Sequence, residues 1–409
     1  MIDPSAKVVI VGAGHAGGTA AALLRQYGFA GPITLLGAEP IPPYQRPPLS
    51  KAWLKGEADE DSLALKPLDF YAGQNIDLRM SVSVASISRA LKAVTLAGGE
   101  VLTYDVLVLA MGARPRRLEI PGMDLAGVCE LRTAADAETL KAVLKPGCRL
   151  AVVGGGYVGL EVAASARALR AEATVIELQS RVLARVASEP LSAFFEAYHR
   201  ERGVAFELGV SVHEILGQDG RVTGVKLSDG RTLACDAALI GVGAVPNDEI
   251  ARDAGLECSN GVVVDLEART ADPAVFAIGD VTHRPLPLYD RSFRLESVPN
   301  ALEQAKQVAC ALTGRPAPAP EVPWFWSDQY DLKMQIAGLP FDGDSLLVRG
   351  DPANARFAVF HLKGDLIQAV EAVNAPPEFM AGRQLIGSRR PIVRERLADG
   401  AVSMKEVAA

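Results

Sequence analysis

A chain of 409 residues is too long for one ordinary domain and long enough to bury two or three cores. Its net charge of −7 argues against general binding to nucleic acid or an anionic membrane. Its 49% hydrophobic content is spread without any stretch of about 18 uncharged apolar residues that would span a bilayer. The first residues, MIDPSAK, carry no basic region ahead of an apolar one, so the expected location is the cytoplasm. Five cysteines, odd in number and without a CxxC, read as reduced structural thiols, and the five scattered histidines add no metal-ligand spacing.

The apolar run Val8 to Val11 predicts a buried strand, and Gly12-Ala13-Gly14-His15-Ala16-Gly17 turns it into an alanine-rich helix. In a dinucleotide-binding loop Gly12 permits the tight turn, Gly14 lets the backbone approach a pyrophosphate, and Gly17 lets helix pack on strand. Glu39, 22 residues beyond Gly17 and after a second strand-like run, is the acid expected to hold a ribose. His15 is read as a filler of the loop, because a helix N-terminus disfavours an imidazolium. The proline-rich segment 40–51 predicts an ordered extended loop, with Ser50 capping a helix that begins near Lys51.

Residues 77–103 alternate as a small antiparallel meander, and 106–110 form a buried parallel-type strand. The opening pattern then repeats. Residues 149–153 lead into Gly154-Gly155-Gly156-Tyr157-Val158-Gly159 and another alanine-rich helix, and Glu177 follows Gly159 by 18 residues. A second meander is expected over about 204–232, and residues 275–278 return to the first sheet with Asp280 at the carboxyl end, where ligands of open parallel sheets gather. A helix over 300–312, a proline-rich linker over 314–320 and strand-like runs from 324 onward complete the chain. The expected fold is α/β, with two Rossmann-type dinucleotide-binding domains and a small α+β C-terminal domain. Its expected boundaries are 1–114 with 248–323, 115–247, and 324–409.

Two nucleotide sites are useful when their occupants can react with each other, and a nicotinamide passing hydride to a flavin is the economical pair. FAD and NADH are therefore the expected cofactors. The two glycine loops, Tyr44-x-Arg46-Pro47-Pro48-Leu49-Ser50-Lys51, Leu109-Ala110-Met111-Gly112-Ala113-Arg114-Pro115 and Ala277-Ile278-Gly279-Asp280 occur here in this order. With them the whole chain resembles the FAD-dependent, NADH-using ferredoxin reductases that serve bacterial cytochrome P450 and Rieske-type oxygenases. The resemblance implies a glutathione-reductase-like fold and a [2Fe–2S] ferredoxin as the partner, with no nucleic acid or membrane partner.

It also implies residue roles. Gly12, Gly14, Gly17, Glu39, Arg46, Lys51, Arg132, Asp280, Val298 and Trp326 would meet FAD, and Gly154, Gly156, Gly159 and Glu177 would meet NAD. Glu161 would pair with Lys51 beside flavin N5. Met111 departs from the threonine usual at its place. A carboxylate at Glu177 favours NADH, since it repels a 2′-phosphate, and nearby Arg181 and Arg185 are the residues able to counter that preference. The arginines between Gly382 and Arg396 suggest a docking face for an acidic ferredoxin. The competing readings are a rubredoxin reductase, a cysteine-dependent NADH oxidase or disulfide reductase of the same architecture, and a non-catalytic flavoprotein resembling apoptosis-inducing factor. The cysteine-dependent readings need a reactive thiol that residues 39–51 lack.

Overall fold

The computed structural model describes residues 3–409, which divide into two compact units. The first comprises residues 3–45, Glu60–Arg114 and Val245–Trp324. Its centre is a five-stranded sheet in the order Val275–Ala277, Val106–Leu109, Val8–Val11, Ile33–Leu36, Ile76–Arg79. All four pairings are parallel.

The strands read as unbroken apolar runs because both faces are covered. Val8, Ile10, Ile33, Leu35, Val106, Val108 and Phe276 pack with residues of the helices His15–Gln26 and Val298–Thr313. Val9, Val11, Leu36, Leu107, Leu109 and Val275 pack on the other face with Ile87, Val94, Leu96 and Leu102 of a three-stranded antiparallel sheet. Every apolar strand residue is thus consumed by one of two cores, which fixes the register from both sides.

The antiparallel sheet is narrower than the sequence pattern suggests. It contains Val84–Ser88, Ala93–Leu96 and Val101–Thr103, whereas Ile76–Arg79 is the parallel edge strand beside Ile33–Leu36. Alternation in Ile76-Asp77-Leu78-Arg79 records one buried face, and an edge strand of either sheet type gives the same signal.

The second unit comprises Arg46–Asp59, Pro115–Ala244 and Phe325–Ala409. It repeats the plan with the sheet order Val204–Leu208, Glu172–Glu177, Arg149–Val153, Ala237–Ile240, Val128–Cys129. Here too the first strand of the expected meander, Val204–Leu208, is instead a parallel edge strand. The antiparallel strands are Val212–Gln218, Arg221–Leu227 and Thr232–Ala234. A further sheet runs in the order Trp324–Gln329, Leu332–Gly338, Leu366–Val373, Arg356–Lys363, Ser345–Asp351. It shares one core with the nucleotide-type fold: Leu332, Met334, Phe357 and Val373 pack in the same cluster as Leu191 and Phe195 of the helix Glu189–Glu201.

The proline-rich segment corrects a second expectation. Pro47–Ser50 forms a 3-10 turn, and the four-residue helix Ala52–Lys55 is entered through Lys51, with no side-chain cap. Ser50 does not cap, because its hydroxyl is engaged by a buried carboxylate described below.

Among the described residues no helix is long and apolar enough to cross a membrane.

Candidate functional site

In the first unit Gly12 has a φ of +110°, a conformation that requires glycine, and it turns the chain from strand to helix. A β-carbon at Gly17 would lie 1.9 Å from the Gly12 carbonyl oxygen, so helix and turn touch at backbone distance. Gly14 is different: a β-carbon there would meet nothing within 4 Å. It is the N-cap of the helix and supplies no side-chain hydrogen bond to it. The helix therefore presents its N-terminal N–H groups beside open space, as an anion site requires. His15 is the first residue of that helix, within the turn as expected. Glu39, two residues past the edge of the second strand's turn at Gly37, accepts a hydrogen bond from the Tyr44 hydroxyl at 2.7 Å. Asp280 lies in the turn Gly279–Val281 at the carboxyl end of Val275–Ala277. Val298 begins the helix Val298–Thr313, which Ser297 caps.

The second unit repeats these relations. Gly154 also has a φ of +110°, a β-carbon at Gly159 would lie 2.3 Å from the Gly154 carbonyl oxygen, and one at Gly156 would meet nothing within 4 Å. The helix Tyr157–Ala168 likewise has no side-chain cap. Glu177 Oε2 accepts from the Gly155 N–H at 2.7 Å and Oε1 from the Gln179 N–H at 2.9 Å, which holds the carboxylate at the mouth of the loop.

The two arginines near Glu177 are not equivalent. Arg181 spends its guanidinium on the carbonyl oxygens of Ala184, Ala187 and Ser188, so only Arg185 remains to answer a 2′-phosphate. We expect kcat/KM for NADH to exceed that for NADPH, and Glu177→Ala to narrow the gap between them. A higher kcat/KM with NADPH in the unaltered protein would contradict this assignment of Glu177.

The same unit brings Lys51 and Glu161 together. Lys51 Nζ lies 2.9 Å from Glu161 Oε2, with side-chain exposures of only 18% and 6%. Glu161 sits on the inner face of the helix that follows the second glycine loop. Its carboxylate also accepts from Ser50 Oγ at 2.5 Å and from Ser327 Oγ at 2.6 Å. Three donors from two separated segments converge on one buried acid. Arg46 and Arg132 are also neighbours, since Arg46 Nη1 donates to the Arg132 carbonyl oxygen at 2.5 Å. Trp326, half-buried, immediately precedes Ser327 on the strand Trp324–Gln329. The family resemblance names Lys51, Glu161, Arg46, Arg132 and Trp326 and does not name Ser327. Its only local signal is the step from Trp326 to the next residue, because its acceptor is 166 positions away.

All five cysteines are unpaired. Burial pushes the thiols of Cys129 and Cys235 up to about 11 and raises those of Cys148 and Cys258. A thiolate nucleophile is thus disfavoured at each of these four positions. No group of metal-ligating side chains occurs among the described residues.

Two glycine loops without side-chain caps, each followed by a hydrogen-bonded carboxylate, fit two dinucleotides and define a nicotinamide-dependent flavoprotein oxidoreductase whose cofactors are FAD and NADH. The chain belongs to the pyridine nucleotide-disulphide oxidoreductase family, whose model matches residues 6–305, and residues 324–408 match the reductase C-terminal domain. It is 56% identical over 408 residues to a probable ferredoxin reductase, CtmF, of Castellaniella defragrans, covering 100% of both chains. It is 43% identical to the putidaredoxin reductase CamA of Pseudomonas putida, over 98% of this chain and 97% of that one. Among solved structures, the covalent putidaredoxin reductase–putidaredoxin complex superposes with a TM-score of 0.96 at 42% identity, over 99% of this chain and 98% of the other. The α/β fold with a separate C-terminal domain, implied by the resemblance, is thereby borne out.

Proposed function

We propose that the chain is a ferredoxin reductase that takes electrons from NADH and passes them singly to a [2Fe–2S] ferredoxin serving a cytochrome P450 or Rieske-type oxygenase. The observation that carries this reading is the buried Lys51–Glu161 pair at the end of a segment that holds no cysteine. In a disulfide reductase a thiol would be needed beside the flavin, whereas Cys129 and Cys235 here are buried with raised pKa values. Bound FAD supplies the capacity to accept two electrons together and release them one at a time.

Gly12, Gly14, Gly17, Glu39, Asp280 and Val298 hold FAD in this reading, with Arg46, Lys51, Arg132 and Trp326 meeting it through the motif they share with the family. Gly154, Gly156, Gly159 and Glu177 hold NADH. Lys51, held in place by Glu161, supplies a fixed positive charge where reduced flavin is negative. The chain divides functionally into an FAD domain of 1–114 with 248–323, an NAD domain of 115–247 and a C-terminal domain of 324–409. The unpaired cysteines fit a reducing compartment, so the cytoplasm is its proposed place of action.

Arg389 and Arg390 form the proposed ferredoxin-docking point. They lie exposed just past the helix Pro376–Ser388, and neither side chain has a partner among the described residues. Arg394, by contrast, is engaged by Asp365 and the Gly364 carbonyl oxygen. Steering by an exposed basic pair raises association rates and fades as salt screens it. NADH-driven reduction of cytochrome c should therefore depend on an added acidic [2Fe–2S] ferredoxin. The double variant Arg389→Glu, Arg390→Glu should slow this coupled reaction about tenfold at low salt while leaving ferricyanide turnover unchanged. Ferredoxin-independent turnover of equal speed would refute the function. Equal loss with both acceptors would remove the docking assignment alone.

A further inference from the structure

Glu161 is the end of a hydrogen-bonded chain that reaches into the protein interior. Ser327 Oγ donates to Glu161 Oε1 at 2.6 Å, Gln329 Nε2 donates to Ser327 Oγ at 3.1 Å, and His199 Nε2 lies 2.8 Å from Gln329 Oε1. Ser327, Gln329 and His199 are each 1% exposed or less. The direction of every link is forced. An ionised carboxylate only accepts, so Ser327 must spend its one proton on Glu161. Its oxygen then accepts, so Gln329 must turn its NH2 toward it and its carbonyl toward His199. Consequently His199 must carry its proton on Nε2.

The far end is closed. His199 Nδ1 is buried without a partner, and its ring packs against Tyr330 and Phe206 at centroid distances of 5.0 and 6.3 Å. Burial lowers the imidazole to about 4, so it is neutral and donates from one nitrogen only. A chain that ends on a nitrogen without a partner among the described residues has no outlet, and an amide in its middle is a poor proton carrier. Its work is positional.

His199 is itself rigidly held. It lies near the end of the helix Glu189–Glu201, whose N-cap Ser188 gives both its N–H and its hydroxyl to Glu371 of the strand Leu366–Val373. The neighbouring Tyr198 hydroxyl bonds Asp331. The helix is thus fastened at both ends to the C-terminal sheet, and the hydrogen-bonded chain starts from its fixed end.

We infer that Ser327, Gln329 and His199 are positioning residues, which lock the Glu161 carboxylate in the one orientation that presents Oε2 to Lys51. This rests on the reading that Lys51 acts beside the flavin. A carboxylate held only by Lys51 and Ser50 could rotate about its last bonds and take the ammonium with it, and the fixed charge would become a mobile one.

The test uses the FAD-loaded protein in two measurements. In anaerobic stopped-flow, Ser327→Ala should lower the limiting rate of flavin bleaching by NADH about tenfold, the value of one hydrogen bond to a charged group, with the apparent Kd for NADH unchanged. Ser327→Thr, which keeps the hydroxyl, should restore the rate. In the Lys51→Met background Ser327→Ala should have no further effect, because the two act through one carboxylate. Independently, nitrogen NMR of histidine-labelled protein should show one neutral, Nε2-protonated imidazole that does not titrate near neutral pH, and Gln329→Leu should perturb it. A full effect of Ser327→Ala on top of Lys51→Met, or an Nδ1-protonated His199, would overturn the inference. If Lys51→Met itself leaves bleaching unaltered, the role of Lys51 fails, and the NMR result then judges the hydrogen-bonded chain by itself.

Discussion

Gly14→Val is expected to give a folded but colourless protein, whereas Gly17→Val is expected not to fold. The two residues lie in the same turn, and what separates them is what a side chain would meet. At Gly17 the first added carbon would sit 1.9 Å from a backbone oxygen and 3.2 Å from Ile10, and no rotamer relieves a clash with main chain. At Gly14 the backbone is extended, with φ −79° and ψ −164°, and the added carbon enters open space. Valine therefore fits the chain and fills the path of the pyrophosphate. Thermal unfolding and flavin absorbance of the two purified variants check this pair. A yellow Gly14→Val protein would mean that the cofactor does not cross the first loop.

Lys51→Met should slow flavin reduction about a hundredfold, the usual consequence of removing one preorganised group aimed at developing charge. The ammonium is held at 2.9 Å from Glu161 and is largely shielded from solvent, so water does not replace it. The size of this effect distinguishes it from an exposed ion pair, which contributes little. Glu161→Gln keeps the shape while removing the charge and one of the two acceptor oxygens, and it should fall between the wild type and Lys51→Met. Stopped-flow bleaching at saturating NADH measures both variants. Equal rates in wild type and Lys51→Met would show that the pair is structural.

What the sequence discloses follows from distance along the chain. Each glycine loop is contiguous, so strand, turn, helix and acid are legible together, and Gly12, Gly14 and Gly17 stand in the expected relation in the fold. The Lys51–Glu161 pair was reached through the resemblance, because nothing local at Lys51 names a partner 110 residues on. Ser50 shows the limit most plainly. A serine before a short helix is a reasonable cap, yet here a carboxylate 111 positions away competes for its hydroxyl and wins, since a bond to a buried charge outweighs one to a backbone N–H. Ser327, Gln329 and His199 are unreadable for the same reason, as their contacts are made by packing of the helix Glu189–Glu201 against the C-terminal sheet. The edge strands Ile76–Arg79 and Val204–Leu208 were misassigned because alternation reports a buried face without naming the neighbouring strand.

The central claim is a thiol-free path from NADH to a one-electron iron–sulfur acceptor. Its most direct test is anaerobic double mixing of protein whose cysteines have been alkylated while folded. One equivalent of NADH should bleach the flavin at the unmodified rate, and a later pulse of oxidised [2Fe–2S] ferredoxin should restore the flavin colour while two ferredoxins are reduced. Bleaching abolished by alkylation, or a reduced flavin that ferredoxin fails to reoxidise, would contradict it.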